Sequence, residues 1–271
     1  MLTVQAELPA PSTVRADLSE AFGRSAFLTR WVSRALCRRM TRSFAGLNRS
    51  GEVPEPLSGQ GILFYTNHPS WWDPAMFAVL QQRFFPERVA FGPIDALTLQ
   101  RYPFLGHAGF LPVDPKSSAS LRSLLVSASH ILSSGGVFWI TAQGEFTDAQ
   151  TRPVRLRPGL AHIVARSPGC MIVPVALDYR FTSESRPEAF IRFGRSISPA
   201  ALPQGRVATQ EALERALEET MDTLSQDILL RRPVFSPLTS GRSGMGGLYA
   251  SLQRASAIVF RTRYDPRHAR R

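Results

Sequence analysis

The sequence has little cysteine: Cys37 and Cys170 are far apart, and no C-x-x-C pair or Cys/His cluster accompanies them. A disulfide framework and a zinc site are therefore excluded, and a reducing compartment fits. Long hydrophobic runs are also missing. No window reaches the roughly 18 consecutive apolar residues of a membrane-spanning helix. The residues Met1-Leu2-Thr3-Val4-Gln5-Ala6-Glu7 offer neither a basic n-region nor a continuous apolar segment, so a cleaved secretory signal is not expected. The G-x-S-x-G signature of a serine nucleophile on a strand-to-helix turn does not occur, and there is no internal repeat. Lysine is nearly absent: only Lys116 among 32 basic residues is not Arg, a bias to which we attach no function.

What is present is enough for a core. The chain has 271 residues, 44% hydrophobic and 20% charged, which fits one large domain or two small ones and excludes disorder, collagen and a stapled mini-protein. The net charge of +11 is unevenly spread. Residues 1–50 and 231–271 hold the excess of Arg, while residues 51–230 are slightly acidic. Two basic arms touching something anionic, lipid headgroups or nucleic acid, explain this better than a basic groove over the core.

Within the first arm, apolar residues recur at three- and four-residue steps over 26–47: Leu28, Trp31, Val32, Ala35, Leu36, Met40, Phe44 and Leu47. This spacing predicts a helix with one apolar face. Arg30, Arg34, Arg38 and Arg42 fall at four-residue steps on another face. An interfacial membrane helix needs such a stripe and row; a helix packed on the core with its Arg in water gives the same pattern. A stretch rich in Pro, Gly and Ser over 51–61 reads as a linker. Beyond it, strands are expected at 62–66, 89–94, 110–113, 137–141, 171–177 and 190–193, with helices at 72–83, 119–132 and 160–165 between them. Such alternation predicts an α/β sheet covered by helices on both faces. Residues 209–230 read as a strong helix, apolar on one side and rich in Glu on the other, and 246–263 as a second interfacial helix. The expected division is a basic amphipathic arm and linker over 1–57, an α/β core over 58–200, and a helical region with a basic tail over 201–271.

Directly after the first core strand stands Asn67-His68-Pro69-Ser70-Trp71-Trp72-Asp73-Pro74, which contains H-x-x-x-x-D. The spacing alone is weak; its position is not. A His in the loop at the carboxyl end of a strand lies where α/β sheets present ligands. Ser70 is suited to cap the following helix, whose first turn contains Asp73, and that carboxylate can reach one imidazole nitrogen and leave the other as a general base. The alternative is that Asp73 only completes a capping box with Ser70 and that His68 is an ordinary loop residue.

This block resembles the first motif of the phospholipid/glycerol acyltransferase family, the lysophosphatidic acid acyltransferase type. Three more blocks follow in the family's order. Gly109-Phe110-Leu111-Pro112-Val113-Asp114 is similar to the second, and Ile140-Thr141-Ala142-Gln143-Gly144-Glu145 with Leu156-Arg157-Pro158-Gly159 to the third. Ile172-Val173-Pro174-Val175-Ala176 is similar to the buried V-P-V strand of the fourth. The resemblance implies a glycerol-3-phosphate acyltransferase-like fold and an O-acyltransferase. His68 would deprotonate an acceptor hydroxyl, whose oxygen attacks the thioester of an acyl-CoA or acyl-carrier protein, and Asp73 would orient the imidazolium. Asn67, Gly109, Gln143, Gly144, Glu145, Arg155 and Arg157 would bind substrate. Backbone amides near Gly144 or around Asn67 would face the oxyanion. No cofactor, metal or nucleic acid is implied; the partners are an acyl thioester, a lipid-like alcohol and an anionic membrane surface, with the protein peripheral on the cytoplasmic face.

The sequence departs from the family at two customary arginines. Pro115 stands where the second motif ends in Arg, and Phe146 where the third, F-P-E-G-x-R, ends in Arg. Gln143 replaces the motif's carboxylate with a neutral amide. Lys116, Arg152, Arg155 and Arg157 either replace the lost arginines from nearby or form a solvated face. The losses point to a larger or less charged alcohol than glycerol 3-phosphate as acceptor. Two other readings exist: a lipid-binding protein on a scaffold whose chemistry has decayed, and a thioesterase using water as acceptor.

Overall fold

In a computed structural model, residues 17–240 are described. Helix α1 (Ala26–Ser43) leads into strand β1 (Gly46–Ser50). Then come β2 (Ile62–Thr66), α2 (Asp73–Phe84), β3 (Ala90–Asp95), the short helices α3 (Ala96–Arg101) and α4 (Phe104–His107), and β4 (Phe110–Val113). The chain continues through α5 (Ser118–Ser133), β5 (Val137–Thr141), α6 (Gly159–Ala165), β6 (Met171–Arg180) and β7 (Glu188–Phe193), and the described residues end with α7 (Arg206–Leu229) and β8 (Ser236–Ser240). The strands form one sheet in the order β4-β3-β5-β2-β6-β7-β1-β8.

β2 runs parallel to both its neighbours, β5 and β6, and all five of its residues are buried. That is why it reads as a continuous apolar run rather than an alternating one. Its side chains still divide between two faces. Leu63 and Tyr65, with Phe138, Ile172 and Ala176, point into the layer closed by α5, α6 and α7. Ile62 and Phe64, with Trp139, Val173, Val175 and Leu177, point into the layer closed by α1 and α2. In that layer Phe64 stacks on Trp139 at 4.0 Å between ring centroids, a contact worth about 0.5–1.5 kcal/mol beyond its burial.

The first arm differs from its expected form. The helix ends at Ser43, and the expected last turn opens into β1, which pairs parallel to β7 and antiparallel to β8. Met40, Phe44 and Leu47 are buried against α2 and the sheet, Leu36 packs beside them and Val32 is buried too, so most of the apolar stripe is spent on packing. The sheet thus crosses both expected boundaries, drawing β1 from before residue 58 and β8 from after residue 200. β1 and β8 lack a period-2 hydrophobic pattern and sit at one side of the sheet, which is why neither was expected. The helix expected at 246–263 lies outside the described residues. Among those described, no helix is long and apolar enough to cross a membrane.

Candidate active site

β2 and β5 end side by side, with Thr66 opposite Thr141, so the loops that follow leave the sheet together. The Ala142 amide donates to the Thr66 carbonyl at 3.0 Å. One residue on, the His68 amide donates to Gln143 Oε1 at 2.7 Å, and the Thr147 amide donates to the His68 carbonyl at 3.0 Å. The backbone of His68 is therefore gripped on both sides by the loop after β5. Asn67 fastens the other flank: its amide donates to the Leu177 carbonyl at 2.9 Å and its oxygen accepts from the Leu177 amide at 2.8 Å.

Asp73 begins α2, and the polypeptide between it and His68 turns tightly enough to bring the two side chains together. Asp73 Oδ2 lies 2.6 Å from His68 Nδ1, with the carboxylate fully buried and the imidazole largely so. The Ser70 amide donates to the same oxygen at 3.4 Å. The other oxygen, Oδ1, accepts from the Tyr179 hydroxyl at 2.8 Å. Burial pushes the Asp73 carboxyl above its ordinary range, against the opposing pull of the hydrogen bonds from His68, Tyr179 and Ser70. Nδ1 is committed to the carboxylate, and Nε2 bonds to no described residue. Ser70 does not cap α2 as expected: the cap position is Trp72, and Ser70 Oγ accepts from the Trp72 amide at 3.3 Å. The buried Asp73 side chain is instead turned toward the imidazole.

Tyr179 was not expected here, because β6 was read as ending at 177 and runs to Arg180. A signal was present: Val173, Val175, Leu177 and Tyr179 alternate onto one face, and the aromatic closes the series.

The model of the acyltransferase family matches residues 48–178. Over those residues, just under half of the chain, the sequence is similar to the acyltransferase family. The match opens in β1 and takes in all four motif blocks, ending one residue before Tyr179. No curated protein matches the chain. Solved structures that match include the crystal structure of the 1-acyl-sn-glycerophosphate (LPA) acyltransferase PlsC from Thermotoga maritima. It is 14% identical, with 70% of this chain and 81% of that chain covered at a TM-score of 0.47.

Within the matched stretch the motif residues take different places. Gln143 is buried, with its side chain on His68 and its carbonyl accepting from Arg157 Nε at 3.2 Å. Gly144 has a φ of +72°, and a Cβ there would come within 2.8 Å of Arg157 Cγ, so the turn and the close approach both require glycine. Its amide donates to the Thr141 carbonyl, which removes it as an oxyanion donor. Glu145 is exposed and lies 3.5 Å from the Arg157 guanidinium. Both heteroatoms of the Asn67 side chain bond to Leu177 and the residue is fully buried, so the side chain braces the site and is shielded from substrate. Gly109 stands apart, at the entry to β4, lining an apolar crevice with Leu36, Pro74, Phe77 and Trp139.

The replacement cations also separate. Arg152 pairs with Asp222 at 2.6 Å and Arg155 with Glu214 at 3.4 Å, both on α7. Of the arginines weighed, only Arg157 leans on the Gln143-Gly144 turn. Phe146, which takes the place of the customary motif arginine, lies over the His68 ring at 4.3 Å between centroids. Among the described residues, no group of His, Cys, Asp and Glu could hold a metal ion.

Proposed function

We propose that this protein moves a fatty acyl group from an acyl thioester, acyl-CoA or acyl-carrier protein, to the hydroxyl of a lipid-like alcohol at a membrane surface. The observation that carries the reading is the 2.6 Å contact of His68 Nδ1 with a buried carboxylate, which leaves Nε2 with no partner among the described residues. Nε2 takes the proton of the acceptor hydroxyl while its oxygen adds to the thioester carbonyl. The tetrahedral oxyanion collapses, the C–S bond breaks, and the imidazolium returns the proton to the leaving thiolate. Asp73 fixes the tautomer and stabilises the imidazolium between the two proton transfers. The amides of Glu145 and Phe146, which donate to no described residue, are the oxyanion donors we favour. No metal or cofactor enters the scheme.

Phe146 over the imidazole presents an apolar edge where a phosphate-clamping guanidinium would stand. It favours an acceptor whose group near the reacting hydroxyl is uncharged, a glycolipid or another lipid alcohol. The membrane surface is supported by α1: Arg30, Arg34, Arg38, Arg39 and Arg42 line one exposed groove with Phe27 and Trp31. Arginines near an anionic surface contribute about 1 kcal/mol each. We place the protein on the inner, cytoplasmic face of a membrane, a reducing compartment that its two unpaired cysteines fit.

The test is to incubate the purified protein with labelled palmitoyl-CoA and a total lipid extract and follow the label. Label in a lipid ester supports the proposal; label only in free fatty acid makes the protein a thioesterase. His68→Ala should abolish ester formation without unfolding the protein. Turnover near wild type in that variant removes the base assignment.

A further inference from the structure

We propose that Tyr179 is a positioning residue of the acyl-transfer site, acting on His68 through Asp73; the role rests on His68 being the base. The informative atom is the hydroxyl. The ring packs against Phe44 at 5.5 Å between centroids, a contact that a phenylalanine would make equally well. The hydroxyl instead reaches a carboxylate with no exposed surface and donates to Oδ1 at 2.8 Å. A buried carboxylate needs donors on both oxygens. His68 and Ser70 supply Oδ2; Tyr179 supplies Oδ1.

Two consequences follow from that division. With one oxygen held from β6 and the other from the loop after β2, the carboxylate plane cannot rotate, and Oδ2 stays aimed at Nδ1. The second concerns the proton. A donor on Oδ1 stabilises the anion, so losing it strengthens the hold of the His68–Asp73 pair on an additional proton. The pair is met by the Ser70 amide from the loop, by the uncharged Phe146 ring beyond β5 and by Tyr179 from β6; Asp178, next to Tyr179, acts on the phenol and is itself paired with Arg180. From α1 comes the uncharged Phe44 ring, and Arg39 stands off over the Trp71–Trp72 stack. Tyr179 cannot become a competing anion: burial and the nearby Asp73 and Asp178 push its phenol well above its usual range. It remains a donor at every working pH.

The experiment compares wild-type, Tyr179→Phe and His68→Ala proteins labelled with 15N-histidine. Among the five histidines, the resonance missing from the His68→Ala spectrum is that of His68. In Tyr179→Phe the pair should take up its proton at a pH about one unit higher, the size expected for losing a charge-assisted hydrogen bond. Formation of labelled ester from palmitoyl-CoA and a lipid extract should fall about tenfold at neutral pH, with the acid limb of its pH profile displaced by the same amount. Folded and unfolded molecules give separate resonances for this residue, so a lowered melting temperature does not disguise the result. An unmoved midpoint overturns the proposal, even if turnover falls, because the hydroxyl then contributes packing alone. An inactive His68→Ala protein with an unmoved Tyr179→Phe midpoint sinks the Tyr179 role by itself. Activity surviving in His68→Ala sinks the base reading, and the role of Tyr179 with it.

Discussion

Replacing Asp73 by Asn should lower turnover and raise stability at once. The substitution keeps the shape of a side chain whose two oxygens are taken by Tyr179 and by His68 with Ser70. The Ser70 amide, a donor, holds the amide oxygen on the His68 side, and the Tyr179 hydroxyl is free to turn and accept from the amide nitrogen. The imidazole tautomer therefore survives, and the change reduces to loss of one negative charge beside the imidazolium. At about 4 Å between charge centres and an effective dielectric near 20, that attraction is about 4 kcal/mol. Since each 1.4 kcal/mol is about a tenfold change in rate, kcat should fall by about a thousandfold. Stability moves the other way. A carboxyl held higher in the folded than in the unfolded chain binds its proton more tightly when folded, so the buried anion opposes folding at neutral pH and this penalty is relieved as the pH falls. The Asp73→Asn protein should melt above wild type at pH 7, with the gap closing toward acid pH. The assays are steady-state kinetics and melting curves at several pH values. Turnover within tenfold of wild type, or a lower melting temperature at pH 7, refutes the reasoning.

Phe146→Arg should restore a phosphate contact and raise the rate with lysophosphatidic acid, relative to a neutral glycolipid of matched chain length, by about 10–100-fold; an unchanged ratio places the acceptor's phosphate elsewhere. Asn67→Ala strips two hydrogen bonds from the buried Leu177 backbone and should destabilise the fold by about 2–5 kcal/mol, read from urea unfolding. A loss below about 1 kcal/mol means the strand re-satisfies itself. Reversing Arg34 and Arg38 together to Glu should release the protein from anionic vesicles at low salt, and wild-type protein that never binds such vesicles removes the membrane role of α1.

The core was legible because its strands and helices carry their own periodicity. β2, β5 and the start of β6 are apolar runs bounded by turn residues, and α5 and α7 show one apolar face each. The pairing of His68 with Asp73 was legible too, since both lie within one loop and one helical turn. The remaining parts of the site depend on contacts distant in sequence. Nothing local to Asn67 distinguishes a substrate contact from a clamp on Leu177, a residue on another strand. Arg155 and Arg157 are two residues apart in an extended segment, and only the position of Glu214 on α7 draws the first away from the Gln143 turn. β1 escaped notice because its burial comes from its neighbours β7 and β8 rather than from its own pattern.

The segment between β5 and α6 is fastened along its length by one face of α7. Glu218 accepts from the Val154 amide at 2.6 Å and Glu214 from the Leu156 amide at 2.9 Å, while Asp222 holds Arg152. These three acids are spaced four residues apart, one helical turn each. The helix that carries them lies beyond the stretch matched by the family model. The site is therefore not portable as the motif-bearing stretch alone. Transplanting residues 142–158 into a related scaffold, to carry over whatever acceptor preference Phe146 confers, would leave two backbone amides and the guanidinium groups of Arg152 and Arg155 without their carboxylates unless the 214–222 face moved as well. A substitution in this loop is thus met by a helix more than fifty residues downstream, and the two must change together to keep these contacts.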